Sequence, residues 1–294
     1  MQITRLTTGK EHSPLLVVDN FIPQPEALVE YACGQPFLAN SPYYPGVRSA
    51  APESYRQFML QSLQATLIDY FALPATALGF SVCHFSLVTT PPAQLKLLQR
   101  IPHFDTTEKH ALAAVHYLFH GDQGGTAFYR HRKTGFETID DSRTMAYYRA
   151  LEAENDGPNL PKASDGYIGG DTALFEQIGA QQGIFNRLII YRRHALHSGS
   201  IPPGASLSAD PAQGRLTISS FIDLQPELAG VAGEAVAAVV GQLHQAAEAG
   251  RQRERQRGVP LAAVVGAAAV GVEVVEGHRP AQLALELAAT ELAR

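Results

Sequence analysis

The stretch Asn186–Gly199, NRLIIYRRHALHSG, decides the fold. Leu188, Ile189, Ile190 and Tyr191 make a short run of β-branched and bulky apolar residues, bounded by Asn186 and by a polar, histidine-containing connection. That is the pattern of a buried strand rather than of a helix with a 3.6-residue stripe. Segments of the same kind lie on both sides of it. GFSVCHFSLVTT (79–90), AAVHYLFH (113–120), GTAFYRHR (125–132) and RLTISSFI (215–222) are short, rich in β-branched and aromatic residues, and punctuated by Gly, Pro and Asp. Several short strands with turn signals predict an antiparallel sandwich or barrel.

Further outward the pattern changes. SPLLVVDNFIP (13–23) reads as a strand and a turn. QPEALVEYACGQ (24–35) reads as a helix with Pro25 in its first turn and Gly34 as its stop. Residues 42–52, rich in Pro, Gly and Tyr, read as a loop. Residues 52–71 place Phe58, Leu60, Leu63, Leu67 and Phe71 at helical spacing. Ser142–Gln182 reads as a polar, helix-like insertion between barrel strands, forming part of a lid or specificity wall. No aromatic residue follows Phe221, and the sequence beyond it is rich in Ala, Val and Glu. Residues 225–294 are therefore assigned to an Ala/Val-rich helical C-terminal extension. A low-complexity stretch, or one translated in a shifted frame, is the alternative, and no chemistry is assigned to it.

Composition excludes several classes. The chain has 294 residues, 45% apolar and 17% charged, with a formal net charge of −5. That suits a globular protein with a sizeable core and supports neither nucleic-acid binding nor an anionic membrane surface. The N-terminus lacks the pattern of a secretion signal, and no run reaches membrane-spanning length. Two cysteines, Cys33 and Cys83, fit reduced thiols in a cytoplasmic protein.

The chemistry concentrates in PHFD, residues 102–105. In extended chain, residues i and i+2 share a face, so His103 and Asp105 can aim an imidazole and a carboxylate at one point. With His197 they could form a two-histidine, one-carboxylate facial triad. Such a triad fills one face of an octahedral Fe(II) and leaves three positions for a bidentate cosubstrate and O2. Arg215 and Thr217 share a face of the last strand, and a guanidinium matches the distal carboxylate of a keto acid as a two-pronged fork.

Together Pro102–Asp105, Gly124–Phe128, Asn186–Tyr191 with His197, and Arg215–Phe221 resemble the iron(II)/2-oxoglutarate-dependent dioxygenases. The resemblance is closest to the prolyl-4-hydroxylase-like branch with its HxD…H signature, and to a bacterial group within it that shares the FYRHR segment. It spans roughly residues 13–224, so residues 1–224 are read as the dioxygenase-like domain. It implies a mainly β fold with flanking helices, a double-stranded β-helix of the jelly-roll or cupin-like barrel type. It further implies Fe(II), 2-oxoglutarate and O2 as cofactor and cosubstrates, and Arg215 on the 2-oxoglutarate C5 carboxylate. Prolyl-hydroxylase-like members often carry Lys at that position, and the connection Ser200–Gly214 is longer than is common. Because Asp105 is present, hydroxylation is favoured over halogenation.

Other residues have two readings. Thr126 either reaches the cosubstrate or serves the barrel turn. Arg130 and Arg132 either line the mouth and take an anionic group of a small-molecule, amino-acid or peptide substrate, or form a solvated strand face. His116 and His120 are read as structural, since HYLFH lacks the Glu of HExxH. His194 is the rival to His197. A non-catalytic binding or regulatory module is the alternative to an enzyme. A zinc-dependent hydrolase or cupin-like enzyme is a third reading.

Overall fold

The computed structural model describes residues 1–225 except Asn40 and Asp156; the proposed extension lies outside the described residues. Two antiparallel sheets face each other as a β-sandwich. The larger has seven strands in the order β1-β2-β8-β5-β10-β4-β3. These are β1 (Gln2–Thr8), β2 (Ser13–Asp19), β3 (Gly46–Ala50), β4 (Leu78–Val88), β5 (Leu112–Tyr117), β8 (Arg187–Arg192) and β10 (Leu216–Leu224). The smaller has the order β7-β6-β9, from β6 (Gly125–His131), β7 (Phe175–Gln182) and β9 (His197–Ser200).

Side-chain alternation along these strands builds three apolar layers. One face of the large sheet, with Leu16, Phe85, Leu112, Ile190 and Ile218, packs against helices α1 (Pro25–Cys33) and α2 (Glu53–Tyr70). Helix α2 forms because Tyr55, Met59, Leu63 and Leu67 recur on one face, and all four are buried. The other face, with Leu15, Ala113, Tyr117, Ile189 and Tyr191, meets Phe128 of the small sheet. The outer face of the small sheet, with Ala127 and Tyr129, packs against Tyr147 of helix α3 (Asp141–Glu154).

Three sequence expectations need adjustment. The stretch read as a loop contains edge strand β3, paired with β4 from Gly46↔Val88 to Ala50↔His84. The insertion holds helix α3, as expected, but ends in strand β7. PHFD is not a regular strand; it makes one antiparallel bridge, His103↔His197. Among the described residues, no helix is long and apolar enough to cross a membrane. Cys33 and Cys83 are both free thiols.

Candidate metal centre

His197 opens β9 on the small sheet, directly opposite Phe128, and therefore faces the space between the sheets. His103 is clipped beside it by reciprocal backbone bonds of 2.9 and 2.8 Å, and the Asp105 amide donates to the Arg193 carbonyl at 2.8 Å. These three bonds hold the 103–105 segment extended. They recover the i, i+2 geometry without a longer strand.

One ligand atom from each of His103, Asp105 and His197 lies within 4.8 Å of the others. His103 Nε2 is 3.9 Å from Asp105 Oδ1, and His197 Nε2 is 3.7 Å from Asp105 Oδ2. Those gaps are too long for hydrogen bonds and suit groups that share a cation. His197 Nδ1 donates to the Ala195 carbonyl at 2.9 Å, which leaves the Nε2 lone pair for a metal. Asp105 Oδ2 is shielded from solvent and has no hydrogen-bond partner among the described residues. A bare carboxylate oxygen in that setting is costly, and a bound cation removes the cost. The His103 side chain is about half exposed, and partial desolvation of its ring, followed by the neighbouring His197, lowers its pKa from the ordinary value. Its ring is thus neutral, as a ligand must be, at ordinary pH. The donor set fits a divalent transition metal.

The inner face also holds a polar cluster around Arg215. This residue is 5% exposed. Its Nε donates to the Gln123 carbonyl at 2.9 Å and its Nη2 to the Gly125 carbonyl at 2.7 Å. Gly124 makes this turn possible: its φ is +75°, and a Cβ there would lie 1.8 Å from the Ser200 carbonyl oxygen. Burial lowers the Arg215 pKa, opposed by Tyr117, Tyr44 and Tyr167 nearby. Tyr117 and Thr126 join the two sheets through a 2.7 Å hydroxyl–hydroxyl bond. Burial raises the Tyr117 phenol to about 12. Thr217 lies opposite Tyr117 on the neighbouring strand and donates to the Ser86 carbonyl at 3.4 Å. Tyr191 connects the two clusters. Its ring is 4.8 Å from that of His197, and burial, then the Asp105 and Tyr117 charges, raise its pKa well above the ordinary value.

The structure therefore brings together His103, Asp105 and His197, and separately Arg215, Thr217 and Thr126. It does not bring Arg130 or Arg132 to either group. Arg130 is paired with Glu137 and Glu176, and Arg132 with Asp171. Their expected role at the mouth loses its free cation. His194 is outside the ligand cluster. His116 is fully buried among aromatics on the opposite face of the large sheet, and His120 is exposed, stacked on Phe185. Sequence reasoning missed Tyr191, although its spacing from Ile189 marks the inner face.

The fold and site define a mainly β sandwich with a two-histidine, one-carboxylate cluster of metal-ligand geometry. The chain belongs to a family of unknown function, DUF6445, whose profile matches residues 1–222. No curated protein matches it. Among solved structures it is similar to HygX from Streptomyces hygroscopicus with nickel and 2-oxoglutarate bound, with a TM-score of 0.42 and 11% identity over 73% of this chain and 84% of that one. The HygX structure with nickel, 2-oxoglutarate and hygromycin B bound gives 0.40 and 11% over the same shares.

Proposed function

We propose that this chain is an Fe(II)- and 2-oxoglutarate-dependent oxygenase that hydroxylates a small molecule, amino acid or peptide. The observation that carries the reading is the convergence of three ligand atoms within 4.8 Å around a bare Asp105 oxygen. His103, Asp105 and His197 would hold Fe(II). Arg215, with Thr217 and Thr126, would hold the distal carboxylate of 2-oxoglutarate. When bound, Fe(II), 2-oxoglutarate and O2 supply the oxidising power, with succinate and CO2 as co-products.

The remaining roles fall to this chain. The Ala195 carbonyl fixes the His197 tautomer. The Tyr191 ring packs against that imidazole and keeps water from its flank. The Tyr117–Thr126 bond holds the sheets at the separation that the Arg215 subsite requires. The three-ligand set with its carboxylate favours hydroxylation over halide transfer. We read the sandwich as a double-stranded β-helix, since the 103–105 segment extends the small sheet beyond β9. Residues 1–224 carry the activity and 225–294 carry none. We place it in the cytoplasm, where Cys33 and Cys83 stay reduced.

The test is anaerobic titration of the protein with Fe(II) and 2-oxoglutarate. A weak visible metal-to-ligand charge-transfer band is expected in the wild type and not in His103→Ala. Absence of the band from folded, metal-loaded wild type would sink the oxygenase reading.

A further inference from the structure

Arg215, Arg187 and Arg48 all stand on the inner face of the large sheet. Arg215 is used above and Arg187 is paired with Asp19, which leaves Arg48. It stands on edge strand β3 in a row of directly opposed residues: Arg48↔Ser86, Ser86↔Thr217 and Thr217↔Tyr117. Opposed residues share a face, so Arg48 projects between the sheets. Its guanidinium lies over the Tyr44 ring at 4.1 Å. That stacking holds the planar fork by its face and leaves its N–H edges to meet a ligand.

Several other arginines of the sandwich have protein partners, as Arg192 has in the Lys109 and Phe71 carbonyls. Arg130, Arg132, Arg143, Arg187 and Arg193 each pair with a carboxylate. Among the described residues Arg48 has no such partner, and its Nε is shielded from solvent without an acceptor. A shielded donor left unpaired is unfavourable, and an oxyanion from outside the chain would correct it. Burial lowers the Arg48 pKa, opposed first by Tyr44 and then by the Asp105 carboxylate, so Arg48 lies within the field of the metal cluster's carboxylate. One row along, His84 lies opposite Ala50 and Ser219, and its Nδ1 is likewise shielded and unpartnered.

We propose that Arg48 receives an anionic group of the substrate, a carboxylate or phosphate, and so sets the substrate's position beside His103, Asp105 and His197. The substrate is then an anionic molecule, and its cation is Arg48 rather than Arg130 or Arg132. The positioning role rests on the oxygenase reading; anion binding at Arg48 does not.

Sulfate is the probe, since it presents a compact oxyanion and ligates metals weakly. In 15N-labelled, Zn(II)-loaded protein with 2-oxoglutarate, the Arg48 Nε–H resonance is identified by its loss in Arg48→Lys. Sulfate is expected to shift it saturably, beyond a chloride control of equal ionic strength. By calorimetry, Arg48→Met should weaken sulfate binding roughly tenfold or more. The Fe(II)–2-oxoglutarate band should survive in Arg48→Met. No sulfate-specific shift overturns the proposal. So does a sulfate shift seen only when 2-oxoglutarate is left out, or loss of the band in folded Arg48→Met, since either would assign Arg48 to the cosubstrate. An absent band in the wild type, with sulfate binding at Arg48 intact, would instead fail the oxygenase reading alone.

Discussion

At the scale of single residues, the two clusters ask different things of a side chain. His116 shows what the core asks. It is fully buried between Phe21 and Tyr55, and its Nε2–H donates to Asn186 Oδ1 at 3.1 Å. Burial lowers its pKa to about 4, partly offset by that bond. The folded state therefore binds the proton more weakly than the unfolded state. The stability this confers is complete above about pH 6.5 and is lost as pH falls toward 4, to about 3 kcal/mol. Urea unfolding of metal-free protein should show it. The stability gap between wild type and His116→Gln, which cannot titrate, should narrow by that order between pH 7 and pH 4. A pH-independent gap would refute the assignment. Tyr117→Phe tests the other cluster. Losing the hydroxyl bond to Thr126 should cost about 1 kcal/mol of stability and weaken 2-oxoglutarate binding several-fold, read by denaturation and by titration of the charge-transfer band. His103 with Asp105, and Arg215 with Thr217, were legible because a period of two puts each pair on one face; the choice of His197 over His194 and the role of Arg215 came from the family resemblance. Arg48 was not legible, because its role comes from an absent carboxylate and a stacked Tyr44, which no spacing encodes.

At the scale of elements, the turn between β1 and β2 shows why part of the fold was hidden. Glu137 is 2% exposed and accepts from the Lys10 and Glu11 amides at 3.0 and 2.9 Å and from Arg130. Gly9, at φ +63°, permits the approach, since a Cβ there would lie 2.0 Å from Glu137 Oε2. Glu137 and the Gly9–Glu11 turn are more than a hundred residues apart in sequence, so no local pattern announces their contact. The same is true of β3 and β7. Each is short or polar, and each is a strand because a stronger neighbour, β4 or β6, offers it a ladder. Helices α1 and α2 were legible because their apolar spacing and end residues are local. Glu137→Ala would leave two amides and the Arg130 guanidinium short of an acceptor. A loss of about 2–4 kcal/mol in chemical denaturation is expected, with the charge-transfer band retained. A loss below about 0.5 kcal/mol would mean that the turn is held by other contacts.

At the scale of the whole molecule, the metal cluster joins segments far apart in sequence, so metal binding is linked to folding. His103 and Asp105 lie on the segment that precedes β5 of the large sheet, while His197 belongs to β9 of the small one. A cation held by all three ties these segments together and binds only the folded chain. Metal should therefore stabilise the fold by mass action, about 2.7 kcal/mol at a free concentration one hundred times the Kd. Asp105→Asn separates this effect from ordinary packing. In the metal-free protein, Asp105 is a shielded carboxylate with a bare oxygen, so replacing it with a neutral amide should cost little or even stabilise. The same change removes the anionic ligand, so the variant should gain almost nothing from Fe(II) or Mn(II) added without oxygen. The order of melting temperatures is then the test: Asp105→Asn at or above wild type without metal, and below it with metal. A wild type whose melting temperature ignores the metal would show that the three side chains do not close on a cation. A variant destabilised equally in both conditions would show that Asp105 serves packing rather than coordination.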